Sequence, residues 1–276
     1  MADILIKNGH VITMDSHRKV IERGSVAIKN GKITAVGDNV REKADVVINA
    51  KGKVVMPGLV NAHTHLAMTL LRGVADDMEL MPWLETKIWP LERKLTGKRV
   101  YAGSLLGCLE MIKSGTTCFA DMYFFMEDGA RAVEKSGMRG VLSYGMIEKG
   151  DPTLRNSETR KGTEFVKKYH GRADGRILTM FGPHAPYTCS VECLLKVKEL
   201  AKKHGVGIHI HLAESDDDVK NTTAFQSERP VKLLDKIGFL GPEVLAAHCV
   251  KVNEDEIGML RNNHVKVAHN PVSNLK

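Results

Sequence analysis

The chain has 276 residues, 43% hydrophobic and 26% charged, with 40 Lys and Arg against 33 Asp and Glu for a formal charge of +7. That composition excludes a disordered chain and supplies a core sizeable enough for one large domain, or one large and one small. No apolar run approaches the roughly 18 residues of a membrane span, the N-terminus lacks the basic-then-apolar pattern of a signal peptide, and five cysteines, an odd number, argue against a disulfide framework.

Residues 1–57 read as short strands with tight turns, a small antiparallel β domain. Ile4-Leu5-Ile6 runs into Asn8-Gly9 and then Val11 to Met14; Ser25 to Ile28 runs into Asn30-Gly31 and then Lys32 to Gly37. Asn-Gly between apolar runs predicts a hairpin at both places. Ala44 to Ala50 reads as a further strand.

Residues 58–276 alternate strands with helices. Strands are predicted at 59–63, 116–121, 139–145, 177–182, 206–211, 244–248 and 265–269. One helix starts at Ser190, carries Leu194, Val197, Leu200 and Ala201 on one face, and stops at Gly205. Another opens at Asn253 with Glu256 three residues on, a capping-box pattern, and turns Ile257 and Leu260 inward. Thr96 and Gly115 bracket a third. The basic stretch from Arg160-Lys161 to Arg176 reads as the solvated face of a helix, because Phe165, Val166 and Tyr169 give it an apolar side; neither nucleic acid nor membrane is an expected partner. This alternation implies a parallel sheet with helical crossovers.

The chemistry-bearing residues gather at the ends of these strands. In Asn61-Ala62-His63-Thr64-His65, strand alternation puts His63 and His65 on the same side, one pleat apart, where two imidazoles can share a divalent metal. Downstream come Gly182-Pro183-His184-Ala185-Pro186-Tyr187, His211-Leu212-Ala213-Glu214, Ala247-His248-Cys249 and His269 to Lys276. His209 shares the face of His211 but lies one pleat deeper and reads as a core histidine. Cys249 reads as a small buried side chain, and Cys189 and Cys193 as reduced thiols near a helix start.

Together with Met56 to His65, Met68 to Gly73 and Ala120 to Tyr123, these segments resemble the amidohydrolase superfamily. The closer likeness is to its branch of adenosine-type deaminases and triazine hydrolases, and within that to the 5'-methylthioadenosine/S-adenosylhomocysteine deaminases. The resemblance implies an α/β fold, a (β/α)8 TIM-type barrel with its active site at the C-terminal ends of the strands. It implies that His63, His65 and His211 hold one divalent metal, Zn2+ first, with Fe2+, Mn2+ or Ni2+ as alternatives. The metal would supply an activated water to C6 of a bound adenine ring. Glu214 would shuttle protons and also touch the substrate, and His248 would orient the water. His184, Glu92 and Tyr144 would bind the nucleoside. A carboxylate such as Glu92 can accept from two vicinal ribose hydroxyls. Tyr144 stands where some relatives carry Arg, and a phenol cannot grip an amino-acid carboxylate as a guanidinium does. Trp83, Trp89 and Met81 would wall the pocket or pack its loop.

The count of strands is seven, and 276 − 57 leaves 219 residues against roughly 250 for the fold. The resemblance implies an eighth strand ending in a metal-binding Asp. The expected architecture is therefore that barrel lacking its last strand and helices, plus the N-terminal half of a small β-sandwich. The expected function is a cytoplasmic, zinc-dependent aminohydrolase of an adenosine derivative such as 5'-methylthioadenosine, S-adenosylhomocysteine or 5'-deoxyadenosine. The alternatives are an inactive or split-enzyme fragment, or a related amidohydrolase such as a triazine chlorohydrolase or another nucleobase deaminase. The expected partner is a small-molecule nucleoside, and a homo-oligomer is left open.

Overall fold

The computed structural model describes residues 1–75 and 77–275, with Leu80 described by its backbone alone; Lys276, the last residue of the C-terminal motif, lies outside them. The chain divides into two compact units, Met1–Leu59 and Val60–Lys276.

The first unit is a sheet of β1 (Ala2–Ile12), β2 (Val20–Lys29), β3 (Lys32–Gly37), β4 (Ala44–Asn49) and β5 (Val54–Val55). Its order is β3-β2-β1-β4, with β5 also on β1. β1 runs antiparallel to β2 but parallel to β4 and β5, so the sheet is mixed rather than purely antiparallel. Asn30-Gly31 is the expected hairpin turn: both residues have left-handed φ, 51° and 69°, as a two-residue primed turn requires. Asn8-Gly9 is not. There β1 continues, and the register against β2 shifts on either side of Gly9. The dipeptide makes a bulge because the strand has partners beyond it, Val11 facing Ile21 and His10 facing Val54. A Cβ on Gly9 would lie 2.6 Å from the Val55 side chain, so this position needs glycine.

The second unit holds β6 (Leu59–Thr64), β7 (Thr116–Tyr123), β8 (Arg139–Met146), β9 (Ile177–Pro183), β10 (Gly207–Leu212), β11 (Val244–His248) and β12 (Lys266–Ala268). They are hydrogen-bonded neighbours in chain order, and each pair from β7 to β12 is parallel. Helices fill the crossovers: α1 (Gly97–Lys113), α2 (Met126–Ser136), α3 (Pro152–Tyr169), α4 (Val191–His204), α5 (Asp216–Gln226), α6 (Pro230–Lys236) and α7 (Glu254–Asn262). The sheet curls into a nearly closed barrel, bringing His63 of β6 within ring contact of His211 of β10 and His248 of β11.

Local sequence explains the helix ends. Thr96 caps α1 by accepting from Arg99 N–H, and Ser190 caps α4 by accepting from Cys193 N–H. Gly205 ends α4 in the left-handed region. At α7 Asn253 and Glu256 form both halves of a capping box. The inward face of α7 is narrower than its spacing suggests: Leu260 is 6% exposed, but Ile257 is 46% exposed. Strand alternation sets the two faces of the barrel wall. In β10, Ile208, Ile210 and Leu212 join the core under the helices, which turns His209 and His211 to the interior. Among the described residues no helix is long and apolar enough to cross a membrane.

Candidate metal centre

The interior end of the barrel is built around the His63 ring, whose centroid lies 4.9 Å from His65, 5.0 Å from His209, 4.9 Å from His211 and 5.1 Å from His248. His63, His211 and His248 offer ligand atoms all within 4.8 Å of one another. His65 joins them from just beyond β6, its Nε2 lying 3.2 Å from His211 Nε2.

That short contact is not a hydrogen bond. His65 Nδ1 is 2.6 Å from the Met122 carbonyl and His211 Nδ1 is 2.8 Å from the His184 carbonyl. A carbonyl only accepts, so each Nδ1 carries its ring's proton and each Nε2 presents a bare lone pair. Burial, the largest cause, and the neighbouring imidazoles hold the His63 and His211 pKa values well below the ordinary one. Burial likewise lowers that of His65, partly countered by its bond to the Met122 carbonyl. Two opposed lone pairs with no proton between them are a site for a cation. Backbone carbonyls that fix imidazole tautomers are the usual supports of metal-binding histidines. The donor set, neutral and nitrogen-only, fits a divalent ion of borderline softness.

His248 enters by a different route. Val244 and Ala246 of β11 face the helix-side core, and plain alternation would send His248 with them. Its φ of +78°, followed by +50° at Cys249, is left-handed and redirects the end of the strand. His248 Nδ1–H donates to Asn274 Oδ1 at 3.1 Å, and Nε2 faces Glu214 Oε1 at 3.5 Å. Burial lowers the His248 pKa, and the Asn274 bond partly offsets it. Glu214 follows Ala213, also left-handed at φ +50°, and its N–H donates to Asp218 Oδ2. Burial pushes the Asp218 carboxyl up to about 6.

His184 and Glu92 flank the cluster. The Thr188 hydroxyl donates to the Ala185 carbonyl and so accepts from His184 Nδ1–H at 2.9 Å. The remaining His184 Nε2 is an acceptor on a ring centred 4.8 Å from that of His211. Burial, then His65 and Lys149, lowers its pKa to about 3. Glu92 accepts from the Tyr123 hydroxyl at 2.7 Å, and the Tyr123 ring lies 6.1 Å from that of His65. Burial raises the Glu92 pKa, with the Tyr123 bond opposing it. Lys149 Nζ sits 5.6 Å from the Trp89 ring.

Tyr144 is not brought to this cluster. Its phenol donates to Glu158 of α3 at 2.8 Å. On β8 it shares the face of Leu142 and Met146, which pack under the helices, while Ser143 faces His209 inside. The period of two that turned His211 inward turns Tyr144 outward.

The structure also shows supports that spacing alone left out: the Met122 and His184 carbonyls, Tyr123, Asn274 and above all His209. His209 is 0% exposed, and its Nε2 lies 2.8 Å from His63 Nδ1. The sequence did carry a signal for it, since His209-Ile-His211 repeats the spacing of His63-Thr-His65.

The profile of the amidohydrolase family matches residues 54–276. The chain belongs to that family. It is 54% identical over its whole length to the 5'-deoxyadenosine deaminase of Methanosarcina acetivorans and covers 64% of that protein. It is 48% identical over 99% of its length to the 5-methylthioadenosine/S-adenosylhomocysteine deaminase of Thermococcus sibiricus, again covering 64%. The structure of a zinc-bound adenosine deaminase from Xanthomonas campestris superposes with a TM-score of 0.92 at 35% identity, covering 100% of this chain and 64% of that one. Guanine deaminase from C. acetobutylicum, 22% identical with a TM-score of 0.88, shares the fold. This amidohydrolase chain thus spans 64% of the length of the first curated relatives it matches.

Proposed function

We propose that the protein is a metal-dependent deaminase of a 5'-modified adenosine, with 5'-deoxyadenosine the first substrate to test. The observation that carries this is the pair of lone pairs on His65 and His211, 3.2 Å apart with both Nδ1 protons committed to carbonyls. The likeness to relatives named as 5'-deoxyadenosine deaminases supports the substrate class.

In this reading His63, His65 and His211 would hold one divalent ion, with zinc the first candidate because a similar structure carries it. When bound, such an ion supplies an activated water near neutral pH. Glu214 would take one proton from the attacking water and deliver it to ring N1, as a carboxylate placed beside the reacting atoms can. Water oxygen bonds to C6, the bond from C6 to the exocyclic nitrogen breaks, and that nitrogen leaves as ammonia with the second water proton. The product is the inosine analogue. His248, facing Glu214 Oε1, keeps the attacking oxygen aligned through Nε2. His184 Nε2 accepts from the substrate, and Glu92 takes the ribose hydroxyls while anchored by Tyr123.

The test is ammonia release by the zinc-loaded protein from 5'-deoxyadenosine, 5'-methylthioadenosine, S-adenosylhomocysteine and guanine, alongside bound-metal analysis. About one zinc per chain and release from the adenosine derivatives alone support the reading. Zinc content unchanged by His65→Ala and His211→Ala would remove its basis.

A further inference from the structure

The hydrogen bond between His63 Nδ1 and His209 Nε2 joins β6 to β10 across the barrel interior, at 2.8 Å and 146 residues apart in sequence. Behind it, His209 Nδ1 faces Ser143 Oγ of β8 at 3.5 Å. His65 and His211 have their tautomers set by carbonyls, which can only accept. His63 has no carbonyl in that role. Its partner is a second imidazole, which can either donate or accept, so the direction of this bond depends on where His209 carries its own proton.

Ligation decides which direction is needed. With Nδ1 engaged by His209, the atom His63 has left for an ion is Nε2. An imidazole that ligates through Nε2 carries its proton on Nδ1 and donates it. His209 Nε2 must then accept, which puts the His209 proton on Nδ1, aimed at the Ser143 oxygen.

We propose that His209 is a positioning residue: with Ser143 behind it, it accepts the His63 Nδ1 proton and so fixes the ring angle and tautomer in which His63 binds a divalent ion. This rests on the metal reading above. His209 does for His63 what the Met122 and His184 carbonyls do for His65 and His211. The three ligands are thereby oriented from β7, from β10 and from the end of β9.

The experiment titrates Zn2+ alone against a chromophoric chelator, using the 276-residue chain and its variants His209→Leu, His209→Met, His209→Gln and His63→Ala. The glutamine amide oxygen can stand where Nε2 stands and accept the same proton, while Leu cannot and the Met thioether accepts only weakly. His209→Leu should weaken zinc binding by about 10–100-fold, the usual cost of losing such a support. His209→Met, unbranched and able to fill the same space, should match it, and serves if the Leu variant unfolds. His209→Gln should bind close to wild type. Nitrogen-15 spectra of the metal-free chain should show His63 as the Nδ1–H tautomer in wild type and in Gln, and a mixture in Leu or Met. A role in packing alone would lower thermal stability in all three variants without moving the tautomer or separating Gln from Met. If wild type binds zinc, His63→Ala does not, and the folded Leu or Met variant binds as wild type does, this proposal fails while the metal reading stands. If wild type itself binds no zinc, both fail.

Discussion

At the scale of single residues, the four imidazoles around His63 differ in what their second nitrogen touches, and that difference assigns their work. His65 and His211 are locked by carbonyls and left with bare lone pairs, whereas His248 is held by Asn274 and turned toward Glu214. The protein should accordingly separate binding from turnover by mutation. Glu214→Gln keeps the shape of the side chain but removes its proton-carrying capacity. It should retain zinc and lose about 10²–10⁴-fold in turnover, the usual contribution of general acid–base catalysis. Ammonia release near the wild-type rate would take Glu214 out of the mechanism. His248→Ala should retain more zinc than His63→Ala, with metal content measured on both after dialysis. Equal loss in the two would make His248 a ligand.

At the scale of elements, two places where sequence motifs meet backbone geometry decide how the site is held. Gly182 of β9 lies against β8, and a Cβ there would fall 2.7 Å from the Tyr144 carbonyl oxygen. Backbone cannot give way as a side-chain tip can. Gly182→Ala should therefore cost about 1–3 kcal/mol, the range for overpacking a filled interior. Because His184, whose carbonyl fixes His211, follows directly on β9, zinc affinity should drop with it. Urea unfolding and the zinc titration read the two effects separately, and a variant as stable as wild type would show that β8 and β9 can part without loss. At α7 the capping box predicts a smaller effect: Asn253→Ala should cost about 1 kcal/mol, seen as a lower urea midpoint with an unchanged slope.

At the scale of the molecule, the barrel interior concentrates histidines that folding holds neutral. Six of them have lowered pKa values, His184 and His209 to about 3, each with burial as the largest cause. Some carboxyls are shifted the other way, among them Glu92, Asp121 to about 7 and Asp218 to about 6. Below pH 6.5 the unfolded chain takes up histidine protons that the folded chain refuses, so stability rises with pH and is lost as pH falls from 6.5 toward about 3. His184 and His209, held at about 3, each contribute a slope of about 1.4 kcal/mol per pH unit across that window, and the other four act in the same direction. The raised carboxyls work in the opposite sense, stabilising at low pH and offsetting part of the histidine effect. The metal-free protein should therefore unfold at a lower urea concentration at pH 5 than at pH 7, and His184→Gln should flatten the difference. A midpoint difference that His184→Gln leaves unchanged would show that His184 is not held neutral. Zinc at a hundred times its dissociation constant should add about 2.7 kcal/mol at pH 7 by mass action.

Sequence by itself determined whatever depends on neighbours along the chain. The alternation through Ile208, His209, Ile210, His211 and Leu212 separates core from interior with a period of two. Asn253 with Glu256 and Ser190 with Gly205 mark helix ends whose hydrogen bonds span a few residues. The order of strands and helices followed from such signals, and the amidohydrolase likeness from short contiguous motifs. Tertiary structure decided what depends on groups far apart. Asn8-Gly9 became a bulge because strands from elsewhere pair with β1 beyond it. His248 faces the site because its backbone turns left-handed at the strand end, against the alternation of its own strand. Tyr144 looked like a substrate residue by position and went to Glu158 because its strand neighbour Ser143 holds the inner face. The tautomers of His65, His211 and His63 are set by partners 57, 27 and 146 residues away, and a hydrogen bond over such a separation leaves no period in the sequence.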